Sequence, residues 1–117
     1  MLATPERLSA RSRKLVAASE TELVLSAASA WEIAIKSALG KLSLPERPAA
    51  YVTRLMAQTG VVALPVYHHH ALHVATLPAH HADPFDRLLV AQAQLEDLPV
   101  MTSDRVFARY EVETLKA

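Results

Sequence analysis

The chain has 117 residues, enough for one domain with a real core and too few for two. Its 12 Lys plus Arg balance its 12 Asp plus Glu, so no net field draws it to nucleic acid or a membrane surface, and any nucleic-acid partner must be held by a local site. The absence of Cys excludes disulfides and thiolate metal sites, and no apolar run approaches the roughly 18 residues of a membrane-spanning helix.

Residues 5–18 carry Leu8, Ala10, Leu15, Val16 and Ala17 among four basic residues, which predicts an amphipathic surface helix. Residues 22–26 read as a strand, and residues 29–39 as a helix with Gly40 placed to close it. Within that helix Ser29-Ala30-Trp31-Glu32 has the form of a capping box, Glu32 and Lys36 make a favourable i,i+4 pair, and Trp31 is expected to pack. Residues 41–45 connect to a second helix over 48–58, closed near Gly60, and residues 61–64 form a second strand. Residues 68–77 predict a short helix, and residues 78–82 a loop.

The most informative stretch follows. Asp83 is a good N-cap, Pro84 suits the first helical position, and Asp86 interacts well with the helix dipole. Leu88, Leu89, Ala91, Gln92 and Leu95 then give a mostly apolar helical face. Residues 99–102 predict a buried strand, with Asp104 just past its carboxyl end. A short helix over 105–109 and an edge strand over 111–115 complete the chain. Strands alternating with helices at this spacing predict parallel pairing through crossovers, hence an α/β fold in a single domain over 1–117. The N-terminus lacks the apolar stretch of a signal peptide, so a cytoplasmic protein is expected.

Glu32, Asp86 and Asp104 each follow a predicted strand end or open a helix, so a parallel sheet would gather them at one edge. Clustered carboxylates repel unless a cation joins them, and Mg²⁺ or Mn²⁺ suits oxygen-only ligands. Thr102 and Ser103 are placed to add hydroxyl contacts, with Lys36 and Arg87 as basic rim residues. Six His form a rival set: His68, His69, His70, His73, His80 and His81. His70 and His73 lie one turn apart on a predicted helix, and imidazole suits Zn²⁺, Ni²⁺ or Cu²⁺, so a His-rich metal-binding module is the alternative of another class.

Several motifs taken together resemble the PIN-domain ribonuclease toxins of the VapC type. They are Ser26-Ala27-Ala28-Ser29-Ala30-Trp31-Glu32-Ile33-Ala34-Ile35-Lys36, Gly40-Lys41-Leu42, Leu77-Pro78, His81-Ala82-Asp83-Pro84-Phe85-Asp86-Arg87-Leu88-Leu89 and Thr102-Ser103-Asp104-Arg105-Val106-Phe107. They fall in the family's order and cover nearly the whole chain from Glu6 onward. The resemblance implies a PIN-like parallel sheet flanked by helices, and a Mg²⁺- or Mn²⁺-dependent ribonuclease acting through Glu32, Asp86 and Asp104. It further implies an RNA substrate, a homodimer and inhibition by a cognate antitoxin, with Asp83 left as a cap. The family pattern opens with an apolar strand ending in Asp, often Leu-Leu-Asp-Thr-His. Here only Met1-Leu2-Ala3-Thr4 precedes the first helix. The first central strand and its acid are therefore expected to be missing, through a misassigned start codon or a true truncation that leaves a catalytically impaired remnant.

Overall fold

The computed structural model describes residues 2–3, 23–80, 82–101, 109–110, 112 and 114–115. The elements in order are β1 (Leu2–Ala3), β2 (Val24–Ser26), α1 (Ala27–Ala38), α2 (Pro48–Thr59), β3 (Val62–Leu64), α3 (His68–His73) with a 3₁₀ turn at Val74–Thr76, α4 (Pro84–Leu95), β4 (Val100–Met101) and β5 (Thr114–Leu115). The expected helix over 5–18, and all but the last residue of the one expected over 105–109, lie outside the described residues.

The five strands form one sheet in the order β3-β2-β1-β4-β5, every neighbouring pair parallel. Parallel neighbours need crossover connections, and α1 with α2, then α3 with α4, supply them. The fold is α/β, as expected. One expectation needs correction: the central place in the sheet is held. Leu2–Ala3 form β1 between β2 and β4, with Leu2 opposite both Val24 and Val100 and its N–H donating to the Pro99 carbonyl at 2.9 Å. Two residues suffice because Leu2 is fully buried beside the equally buried Val100, so packing holds what a two-residue ladder would not.

The remaining boundaries follow local chemistry. Ser26 ends β2 and caps α1, its Oγ accepting the Ala28 N–H at 3.0 Å. The helix therefore begins before Ser29, and the capping box expected at residues 29–32 is replaced by this earlier cap. α1 ends where Gly40 adopts φ 71°, and α2 where Gly60 adopts φ 72°, both left-handed positions that favour glycine. Asp83 caps α4 through Oδ1, which accepts the Phe85 N–H at 2.8 Å and the Asp86 N–H at 3.2 Å, and Pro84 takes the first helical position.

α4 is the helix on which the domain is assembled. Leu89, Val90, Ala91, Gln92 and Ala93 are consecutive and all buried, so its middle is enclosed nearly all round rather than on one stripe. It packs against α1 on one side and α3 on another, over a core that includes Leu2, Ala28, Leu77, Val100 and Tyr110.

Candidate functional site

The strand order runs outward from β1 in both directions, so the chain reverses its direction of travel across the sheet between β1 and β4. Ligands of open α/β sheets bind outside the carboxyl ends of the strands at such a switch point. α1 starts directly from the carboxyl end of β2. α4 leads into β4 through a tight connection, with the Leu98 N–H donating to the Ala93 carbonyl at 2.9 Å, so the start of α4 points back toward the carboxyl edge. The early turns of both helices thus face the same side of the domain.

Glu32 stands in the second turn of α1, not the first, because Ser26 is the cap. It is 6% exposed, and its Oε2 lies 3.7 Å from Nζ of Lys36, the i,i+4 partner that the spacing predicts. Asp86 stands half-buried in the first turn of α4. The residues just before these acids touch: the rings of Trp31 and Phe85 meet edge to face, centroids 5.1 Å apart and planes at 75°. That contact fastens the Glu32 turn to the Asp86 turn. Thr102, Ser103 and Asp104 lie outside the described residues, but β4, which leads into them, is the immediate neighbour of central β1. β1 ends in Ala3, so the carboxylate that the resemblance places at the end of the first strand is what this chain lacks there.

Trp31, expected to pack, is 62% exposed, because the buried face of α1 runs through Ala28, Ser29, Glu32 and Ile33 instead. The Arg87 guanidinium donates to the carbonyls of Val74 (3.1 Å), Leu77 (3.4 Å) and Pro78 (3.0 Å) and to the Tyr110 hydroxyl (3.4 Å). It ties the start of α4 to the turn after α3 and so helps fix where Asp86 sits.

The histidines divide differently from the expected His70 and His73 pairing. Nε2 of His73 bonds Oε1 of Gln94 at 2.8 Å, whereas Nε2 of His70 bonds Oε1 of Glu96 at 2.7 Å. With His69 Nε2 at 3.8 Å from the same Glu96 oxygen, His69, His70 and Glu96 have the spacing of a metal-ligand trio. The hydrogen bonds argue against that use. Nδ1 of the fully buried His70 accepts the Tyr67 N–H at 3.0 Å, so the single proton of the neutral ring sits on Nε2 and points at Glu96. A nitrogen that carries a proton offers no lone pair to a metal. Gln92 completes this group, its Nε2 donating to the Pro65 carbonyl at 3.1 Å and facing His70 Nδ1 at 3.4 Å. The sequence placed Gln92 on the apolar face of α4, where a polar residue was the one signal for its role, and gave no signal for Glu96 just past the helix end.

For the acidic site, the donors suit a hard divalent ion. Glu32 and Asp86 offer carboxylate oxygen only, and the chain has no thiolate to favour a softer metal.

Comparison with known proteins follows the same line. The profile of the PIN domain family matches residues 1–113. Ribonuclease VapC16 of Mycobacterium tuberculosis (strain ATCC 25618 / H37Rv) is 48% identical over 61 residues, which make up 52% of this chain and 43% of that protein. The match therefore takes in less than half of that relative's length. Among solved structures, a chain in the structure of FitAB bound to an IR36 DNA fragment superposes with a TM-score of 0.67 at 18% identity, over 97% of this chain and 92% of that one. At that identity the likeness is one of fold.

Proposed function

The chain belongs to the PIN-domain family, and from that premise we propose that it is a VapC-type toxin, a Mg²⁺- or Mn²⁺-dependent endoribonuclease of the cytoplasm that cuts RNA phosphodiester bonds. Glu32, Asp86 and Asp104 would hold the ion, with Thr102 and Ser103 beside Asp104 and Lys36 at the rim. The observation that carries the reading is the Trp31–Phe85 contact, which joins the Glu32 turn of α1 to the Asp86 turn of α4 on the side of the switch point. The ion, when bound, supplies the positive charge that phosphodiester hydrolysis requires. Lys36 restrains the Glu32 carboxylate by the 3.7 Å pair. Arg87 holds the start of α4 in place, and Asp83 fixes its first turn through two backbone N–H groups.

In this reading the protein is a single domain that pairs with a second copy and is silenced by a cognate antitoxin, which would place a cation among the acids. The test is cleavage of single-stranded RNA by the purified chain with and without Mg²⁺ or Mn²⁺. Asp86→Asn should remove the metal-dependent cleavage. RNA cleavage that is untouched by a chelator and by Asp86→Asn would refute the proposal.

Ala3 supports a second reading, a domain that folds and binds its partners but cuts RNA poorly. With no carboxylate at the end of the central strand, divalent binding is weakened. Ala3→Asp should then raise cleavage by about 10-fold or more, the scale on which one group near a metal changes affinity or activity. No gain would mean that the remaining acids are a complete set.

A further inference from the structure

Trp31 is the chain's single tryptophan, and its placement is unusual for so large an apolar side chain. It projects from the exposed side of α1 at 62% exposure, with Ala27, Ala34 and Ala38 as its exposed neighbours one and two turns away. Those short side chains leave the indole standing above the helix surface. The ring is nevertheless held. Phe85 meets it edge to face, and Phe85 packs against the main core cluster. In such a pair at least one face of the indole stays open, whichever ring presents its edge. An aromatic ring fixed in orientation, open on a face and directly preceding an acid of the site is the form of a stacking platform.

We infer that Trp31 stacks a nucleobase of single-stranded RNA and thereby positions the adjoining phosphate at the acidic site. The inference rests on the ribonuclease reading above. The chain's charge points the same way. With acidic and basic residues in balance, phosphate attraction supplies little affinity, and a base has to be gripped through its ring instead. Lys36, half-exposed and paired with Glu32, adds one local positive charge for the backbone. A lone protruding ring among alanines suits a flat base better than a protein surface, which would need apolar side chains to interlock with.

The experiment uses the full chain carrying Asp86→Asn, so that bound RNA is not cut, and follows the fluorescence of its single tryptophan. A single-stranded 12-mer oligoribonucleotide should quench the emission saturably, and the same sequence as a duplex should not. Followed by the anisotropy of an end-labelled 12-mer, since the variant has no tryptophan of its own, Trp31→Ala should weaken binding by roughly 5- to 100-fold, the range for losing one stacked base. Trp31→Phe, which keeps a smaller ring, should lose less. In the chain with Asp86 intact, Trp31→Phe, which keeps a ring against Phe85, should raise KM with kcat little changed, whereas Trp31→Ala, which also loses that contact, should lower kcat as well. RNA binding without quenching, or an affinity indifferent to Trp31→Ala, would overturn the platform while leaving the ribonuclease reading in place. Quenching by the co-encoded partner protein but not by RNA would overturn it in favour of a protein-docking role. A chain that neither binds nor cuts any RNA would instead bring down the ribonuclease reading beneath it.

Discussion

The two ends of α4 each carry ligand-type residues, about 15 Å apart along the helix axis at 1.5 Å per residue. At its start Asp86 adjoins the turn that bears Glu32; past its end Glu96 meets His69 and His70. By residue type the second group looks the better metal site, with two imidazoles and a carboxylate within reach of one another. Its hydrogen bonds give it another task. His70 Nδ1 takes the Tyr67 N–H, Nε2 gives its proton to Glu96, and the ring pins α3 to α4. The start of α4 lies instead on the side of the sheet's switch point, where strand ends leave room for a ligand. Position relative to the sheet, and the tautomer that neighbours impose, are the grounds on which the acidic end rather than the histidine end is proposed as the reactive one.

The strongest way to break this comparison is to neutralise each end in turn. Glu32→Gln and Asp86→Asn should each lower metal-dependent RNA cleavage by roughly 10²–10⁴-fold, the range for losing a positioned acid–base group. His69→Ala, at the other end, should leave the rate within the scatter of the assay. If His69→Ala proves as damaging as Asp86→Asn, the roles of the two ends have been misassigned.

Much of this frame was legible in the sequence because local chemistry announces it. Pro84 after Asp83 marked the start of α4, and Gly40 and Gly60 marked where two helices close. Two features escaped for physical reasons. Leu2–Ala3 is too short to show any period, and its place in the sheet is set by burial against Val100, nearly a hundred residues away in sequence. Ser26 and Ser29 stand three apart, and only the tertiary position of β2 decides that the first is the cap while the second is buried inside the helix, its Oγ without a partner among the described residues. In the candidate site, the pairing of Glu32 with Lys36 and the place of Asp86 in the first turn of α4 were readable from spacing. The tautomer of His70 was not, because it depends on a rotamer that brings Nδ1 onto the Tyr67 N–H while Nε2 reaches Glu96, 26 residues further along the chain.

The second largest effect should come from the central strand. Leu2 is fully buried with β2 on one side and β4 on the other, so Leu2→Ala should cost about 2–5 kcal/mol. Chemical denaturation would measure it. A loss below about 0.5 kcal/mol, the size of an ordinary surface change, would mean that residue 2 is not in the core and that the switch point lacks its central strand.

The histidine end is expected to yield a smaller loss. His70→Ala loses the hydrogen bonds to the Tyr67 N–H and the Glu96 carboxylate, each worth about 0.5–1.5 kcal/mol net. Zinc sharpens the point. If the trio is scaffolding, any shift in Tm on adding zinc should be the same for the unaltered chain and for His69→Ala. A zinc-induced rise that disappears in His69→Ala would turn this end of α4 into a metal site after all.

The smallest effect separates capping from chemistry within the acidic end itself. Asp83 lies three residues before Asp86, and its carboxylate could be mistaken for one more ligand. Oδ1 instead accepts the Phe85 and Asp86 N–H groups, the geometry of an N-cap. Asp83→Ala should therefore cost about 1 kcal/mol of stability and lower cleavage only through the looser first turn of α4. Asp83→Ser decides between the roles. A serine hydroxyl caps a helix about as well as a carboxylate but lacks the charge that would hold a divalent ion. Recovery of both stability and cleavage in Asp83→Ser would keep Asp83 as the residue that aims Asp86. Recovered stability with cleavage still lost would promote Asp83 to the metal-binding set, and the site would then draw two of its acids from one turn of α4.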